Sequence, residues 1–174
     1  MRLLSILRHA KSSWKDSSLD DHDRPLNKRG SRDAPRVGEW LLEQGLVPDA
    51  ILSSTARRAR ETALAVAAAT GFPDEVCFTR RLYLATPETY LEALRSLPET
   101  CRHAMVVGHN PGIEELVAVM VGTNETMPTA ALAVVELPIE SWGQVGPPPL
   151  GSLRAIRRPR GPSGDQDPGS PSVP

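Results

Sequence analysis

The chain has 174 residues, 40% of them apolar, and a formal net charge of −1. That is enough chain for one domain with its own core. The near-neutral balance excludes a general nucleic-acid binder, which would be clearly basic. No stretch approaches the roughly 20 apolar residues of a membrane span.

Leu3-Leu4-Ser5-Ile6-Leu7 reads as a short buried strand that runs straight into Arg8 and His9. Those two residues and Lys11 also cut the apolar run far short of a secretory segment. Lys11 to Arg24 looks like a loop. Its acidic run Asp20, Asp21 and Asp23 around His22 reads as a solvated turn rather than a metal site, since no second cluster complements it. Pro25-Leu26-Asn27 opens a helix to about Gln44, with Asn27 as N-cap and Gly45 as stop. Pro35 inside that pattern calls for a kink or a later start.

Ala50 to Ser53 is a second strand, followed by a serine-containing turn and an alanine-rich helix ending near Gly71. The N-terminus of that helix offers free backbone N–H groups to an anion. Val76 to Thr79 reads as a third strand, Tyr83 to Thr86 as a loop and Pro87 to Leu97 as a helix. An apolar strand from Ala104 then meets Gly108 and His109, and a helix follows from Ile113 to Val121. Ala130 to Leu137 is another strand, Trp142 to Gly151 a turn region, and Leu153 to Arg157 an edge strand. Residues 159–174 are Pro, Gly, Ser and Asp with almost no apolar side chain, which predicts a disordered tail after a domain of residues 1–158. Cys77 and Cys101 lack any CxxC spacing and read as small core residues in a reducing, cytoplasmic setting. Trp14, Trp40 and Trp142 read as core or pocket-wall residues. Strands alternating with helices predict an α/β three-layer sandwich around a mostly parallel sheet.

Three strand ends carry polar groups of one kind: Arg8-His9, Arg57-Arg58 after the second strand, and His109. Brought together, two imidazoles and two or more guanidiniums form a crevice suited to a dianion such as phosphoryl. A neutral histidine is a competent nucleophile towards phosphorus, and a second, protonated one would complete a positive cage. Phosphoryl transfer depends on positioning and charge, so side chains can supply what a metal otherwise would.

These motifs resemble those of the histidine phosphatase superfamily, which includes the phosphoglycerate mutases. Leu7-Arg8-His9-Ala10 is similar to its Arg-His-Gly signature. The stretch Ser53 to Ala63 is similar to its Ser-Pro-x-x-Arg-Ala-x-x-Thr-Ala motif, with Thr55 in place of proline. Val107-Gly108-His109-Asn110-Pro111-Gly112 is similar to its second-histidine motif. The shortness of the chain, Ala10-Lys11-Ser12 and Asp23-Arg24-Pro25-Leu26 resemble the SixA-type phosphohistidine phosphatase branch in particular.

The resemblance implies a phosphoglycerate-mutase-like fold and a set of roles. His9 would be the phosphorylated nucleophile, with Arg8 and Arg58 on the phosphoryl oxygens and His109 as second imidazole. Asn110 would orient His109 or line the pocket. Ala59 and Thr62 set the register that selects Arg58 over Arg57. Many members carry a carboxylate acid further on, and Glu88 is the one candidate here, though a helix-start carboxylate is also at home for structural reasons. The lack of a clear acid suits a phosphohistidine, whose imidazole leaves more readily than an alkoxide. The expected substrate is a phosphohistidine-bearing protein such as a phosphotransfer domain, with no cofactor, metal, nucleic acid or membrane involved. A small phosphorylated metabolite and a non-catalytic phosphate-binding module are the alternatives.

Overall fold

The computed structural model describes residues 1–146 and 150–159. The expected disordered tail therefore lies outside the described residues from position 160 on, as does part of the Trp142 to Gly151 turn region.

Six strands form one sheet: β1 (Arg2–Arg8), β2 (Ala50–Ser54), β3 (Cys77–Thr79), β4 (His103–Gly108), β5 (Leu132–Leu137) and β6 (Ser152–Arg157). The helices are α1 (Lys28–Glu43), α2 (Arg57–Thr70), α3 (Pro87–Arg95) and α4 (Gly112–Val121). The strand order is β3-β2-β4-β1-β5-β6. β1 to β4 run parallel, and β5 lies antiparallel to both of its neighbours.

Side chains alternate across the sheet, and both faces are covered. Leu4, Ile6, Ala104, Val106, Ala133 and Val135 point into a core shared with α3 and α4. Leu7, Ile51, Met105, Val107, Leu132 and Val134 point into a second core shared with α1 and α2. This double burial explains why β4 reads as a continuous apolar run rather than an alternating one. The α/β three-layer architecture is the expected one.

Local signals act as expected at most boundaries. Asn27 caps α1 by accepting from the Gly30 N–H at 2.9 Å, and Gly45 follows with φ +65°. α1 begins at Lys28 and continues through Pro35. Gly38 lets α1 approach α2 closely, since a Cβ there would lie 2.6 Å from the Ala69 Cβ. Two local readings are corrected. Cys77 is exposed because β3 is a sheet edge, whereas Cys101 is buried. Trp142 is fully buried and donates to the Cys101 carbonyl at 2.8 Å, but Trp14 is 71% exposed. Trp14 instead stacks on the Arg24 guanidinium, 3.5 Å from its ring centroid. Among the described residues, no helix is long and apolar enough to cross a membrane.

Candidate active site

The strand order sets β2, β4 and β1 side by side, so their C-terminal ends form one crevice. Arg8 pairs with Gly108 in register, and the next residues out are His9 and His109. The His9 N–H donates to the Gly108 carbonyl at 3.0 Å, and the two imidazole centroids lie 5.1 Å apart. Gly108 is required at this point, because a Cβ there would overlap the Tyr90 hydroxyl at 1.8 Å.

His9 is oriented by its own turn. Its Nδ1–H donates to the Ala10 carbonyl at 2.7 Å, which leaves Nε2 unprotonated, with its lone pair as an acceptor. The Arg58 Nε–H donates to that nitrogen at 3.3 Å. Thr62, one turn along α2 from Arg58, accepts from the Ala10 N–H at 3.0 Å and donates to the Arg58 carbonyl at 2.7 Å. The first turn of α2 is thereby fastened to the turn that carries His9. Arg58 is buried, whereas Arg57 points outward and pairs with Glu61 at 2.8 Å. The structure thus brings Arg58 to His9 and leaves Arg57 out.

His109 is held by Ser54, the last residue of β2, at 2.8 Å between Nε2 and Oγ. Ser54 Oγ also accepts from the Ala56 N–H at 3.2 Å. His109 Nδ1 is buried and has no hydrogen-bond partner. Burial first, then the neighbouring His9 and Arg58, push the His109 imidazolium down to about 3. For His9, burial outweighs the Ala10 carbonyl and, with Arg58, Arg8 and Arg24, gives about 3. Both imidazoles are therefore neutral at pH 7. These values belong to the site without an anion; the protonated second histidine expected beside a phosphoryl dianion needs that dianion to raise it.

Arg8 and Asn110 converge on one acceptor. Arg8 Nη1 donates to the Met127 carbonyl at 2.9 Å and Asn110 Nδ2 donates to it at 3.1 Å. The Met127 N–H in turn donates to Glu114 at 2.8 Å. Asn110 thus ties the turn after β4 to the segment before β5 and makes no hydrogen bond to His109, so it does not orient that ring. Glu88 lies in the first turn of α3, exposed, and pairs with Arg95 at 2.8 Å. It has no hydrogen bond to the histidines or arginines of the crevice.

The rim holds what sequence reasoning missed. Asp21 belongs to the acidic run read as a solvated turn. Its Oδ2 accepts from Arg58 Nη2 at 2.9 Å and from the Tyr83 hydroxyl at 2.6 Å. Its Oδ1 accepts from Arg24 Nε at 3.1 Å and Nη2 at 2.9 Å. Partial burial would raise this carboxyl, but the bonds from Tyr83, Arg24 and Arg58 outweigh it and hold it below the usual carboxylate range. Burial and the adjacent Asp21 raise the Tyr83 hydroxyl above its ordinary value. Tyr83 also sets its ring edge-on to His109, with centroids 5.4 Å apart. The Asp21–Arg24 spacing of one helical turn was the available signal, and nothing local in the sequence points to Tyr83. Among the described residues, no three His, Cys, Asp or Glu side chains come together to hold a metal ion.

Residues 4–82 match the model of the histidine phosphatase superfamily, branch 1. The uncharacterised Mycobacterium tuberculosis protein Rv1276c is 37% identical over 152 residues, covering 81% of this chain and 92% of that protein. A crystal structure described as a candidate phosphohistidine phosphatase SixA from Agrobacterium tumefaciens is 29% identical. It superposes with a TM-score of 0.78 over 91% of this chain and 98% of its own. The mycobacterial glucosyl-3-phosphoglycerate phosphatase Rv2419c shares the fold at 18% identity and a TM-score of 0.63, over 90% of this chain and 97% of its own. With its phosphoglycerate-mutase-like fold and its paired histidines at the strand ends, the chain belongs to the histidine phosphatase superfamily and is a phosphatase-type hydrolase.

Proposed function

We propose that this protein removes the phosphoryl group from a phosphohistidine of a partner protein, through a covalent intermediate on His9 and without a metal ion. One observation carries the reading: His9 Nδ1–H is tied to the Ala10 carbonyl, so the lone pair of Nε2 faces the guanidinium of Arg58. A neutral, oriented imidazole beside buried cations is what attack on a phosphoryl group needs.

In the first step His9 Nε2 forms a bond to phosphorus as the bond from phosphorus to the substrate's imidazole nitrogen breaks; that ring, already protonated on its other nitrogen, takes the electron pair and leaves as neutral imidazole. Arg8, Arg58 and His109 stabilise the phosphoryl oxygens. In the second step water attacks the phosphorus, the bond to His9 Nε2 breaks, and inorganic phosphate departs with His9 restored. Asp21 is the only carboxylate, among the described residues, hydrogen-bonded to Arg8, His9, Arg58 or His109, and it is held ionised. With no acid at hand, an imidazole leaving group suits the site better than an unactivated alkoxide. The likeness to the Agrobacterium SixA structure supports the same reading. Two free cysteines support a reducing, cytoplasmic setting. A small phosphorylated metabolite is the second reading, supported by the fold shared with the glucosyl-3-phosphoglycerate phosphatase.

The test is incubation with a phosphohistidine-bearing phosphotransfer protein in chelator, following loss of the phosphoryl group, with His9→Ala alongside. Turnover by the wild type and none by the variant is expected. Turnover of small esters alone would replace the reading with a metabolite phosphatase. Binding of phosphate with no release from either substrate class would replace it with a binding module.

A further inference from the structure

Among the described residues, Asp21 is the one carboxylate hydrogen-bonded to the arginines and histidines of the crevice, and its position is informative. Arg58 spans from the floor to the mouth: its Nε reaches His9 Nε2 at 3.3 Å, and its Nη2 reaches Asp21 Oδ2 at 2.9 Å. His9 is 7% exposed, whereas the Asp21 side chain is 44% exposed. A phosphoryl group entering in line with His9 Nε2 therefore has its leaving group on the outward side, where Asp21 stands. Two guanidiniums and the Tyr83 hydroxyl fix the Asp21 carboxylate there. It has no free proton to give and no partner acidic groups with which to hold a metal ion.

We infer that Asp21 sets the charge of the leaving group this pocket accepts, disfavouring phosphate esters whose leaving group is anionic and favouring a phosphoramidate whose imidazole departs neutral or protonated. The inference rests on the proposal that phosphoryl transfer occurs at His9. The physical basis is a like-charge penalty at short range in a partly desolvated mouth, which acts against the wrong substrate rather than for the right one. Removing the charge should shift the preference by about tenfold or more, and the shift should shrink as salt screens it.

The experiment compares wild type, Asp21→Asn and Tyr83→Phe on three probes: a phosphohistidine peptide, glycerol phosphate and 3-phosphoglycerate. The last two are esters of neutral and anionic leaving groups. kcat/KM is measured for each probe, with dissociation constants by calorimetry where turnover is absent. Asp21→Asn should raise phosphoglycerate relative to glycerol phosphate by about tenfold or more, most at low salt. Tyr83→Phe, which keeps the charge and removes one hydrogen bond, should leave that ratio unchanged. An equal effect of Asp21→Asn on both esters would overturn the inference and make Asp21 a positioning residue for Arg58. A matching ratio change in Tyr83→Phe would overturn it too. Wild-type silence on the phosphohistidine peptide would sink the proposed function alone, since the ester pair still reads Asp21.

Discussion

The floor of the pocket and its rim are held by different forces. His9 and His109 stand one residue beyond β1 and β4, and Ser54 ends β2, so ladder hydrogen bonds between neighbouring parallel strands place all three. Asp21 and Tyr83 are 62 positions apart in the chain and meet through one 2.6 Å hydrogen bond. The floor is buried and contains neutral imidazoles; the rim is half-open and contains ion pairs. Backbone registry resists salt and side-chain substitution, whereas partly exposed ion pairs weaken with both. The difference assigns chemistry to the part that cannot move and leaves discrimination to the part that can vary.

Breaking the floor should have the largest effects. His9→Ala should lower kcat/KM by at least about 10³-fold, because the rest of the constellation acts only through the nucleophile. No acid-labile phosphoenzyme should then be trapped by rapid quench, and residual turnover near wild type would displace His9 from its role. Arg58→Lys should cost about 10²-fold despite conserving charge. An ammonium cannot contact His9 Nε2 and Asp21 at once as the planar guanidinium does. If Arg58→Lys were near wild type, a point charge would suffice and the link from floor to rim would be dispensable.

The same contrast explains what could be read from sequence. Each floor residue sits where an apolar run ends, and a run ending in Arg-His or Gly-His is visible in one dimension. The strand order was not derivable, but any order placing these strands together gives the same crevice. Rim residues have no such address. Asp21 looks like any acidic residue of a polar loop until Arg58, 37 positions away, comes to meet it. The exposed Trp14 carries an apolar side chain that pattern reading assigns to the core, because its partner is a cation and not a hydrophobic cluster.

The buried imidazoles make a pH test of the floor. His9 and His109 are pushed down to about 3 and His103, the first residue of β4 at the opposite end of the strand, to about 4, in each case by burial first. Their ordinary value is 6.5. Between these limits the unfolded chain binds protons that the native protein does not. Their contribution to stability is thus complete above about pH 6.5 and is lost as the pH falls towards 4 for His103 and towards 3 for His9 and His109. Denaturant titrations should show a slope of roughly 1.4 kcal/mol per pH unit for each histidine near pH 5. His103→Asn should remove about one proton from that slope while keeping a partner for Ser5, which His103 contacts at 2.9 Å. A slope unchanged in that variant would mean that His103 titrates normally in the native state.

The smallest effect should come from Trp14. Its ring covers one side of the Arg24 guanidinium, which also donates to Asp21, to the Ser12 hydroxyl at 2.7 Å and to the Ser13 carbonyl at 3.4 Å. Since those polar contacts persist without the ring, Trp14→Ala should change kcat/KM by less than about threefold and lower stability by about 0.5–1 kcal/mol. Phe and Leu at the same position separate the two physical contributions. A ring quadrupole attracts the cation, whereas an aliphatic side chain offers contact area alone, so thermal stability should rank Trp above Phe above Leu. If Phe and Leu are equal, the ring contributes only cover. The rim would then owe its order to the Asp21 ion pairs alone, and raising the salt should loosen Arg24 as much in the wild type as in Trp14→Leu.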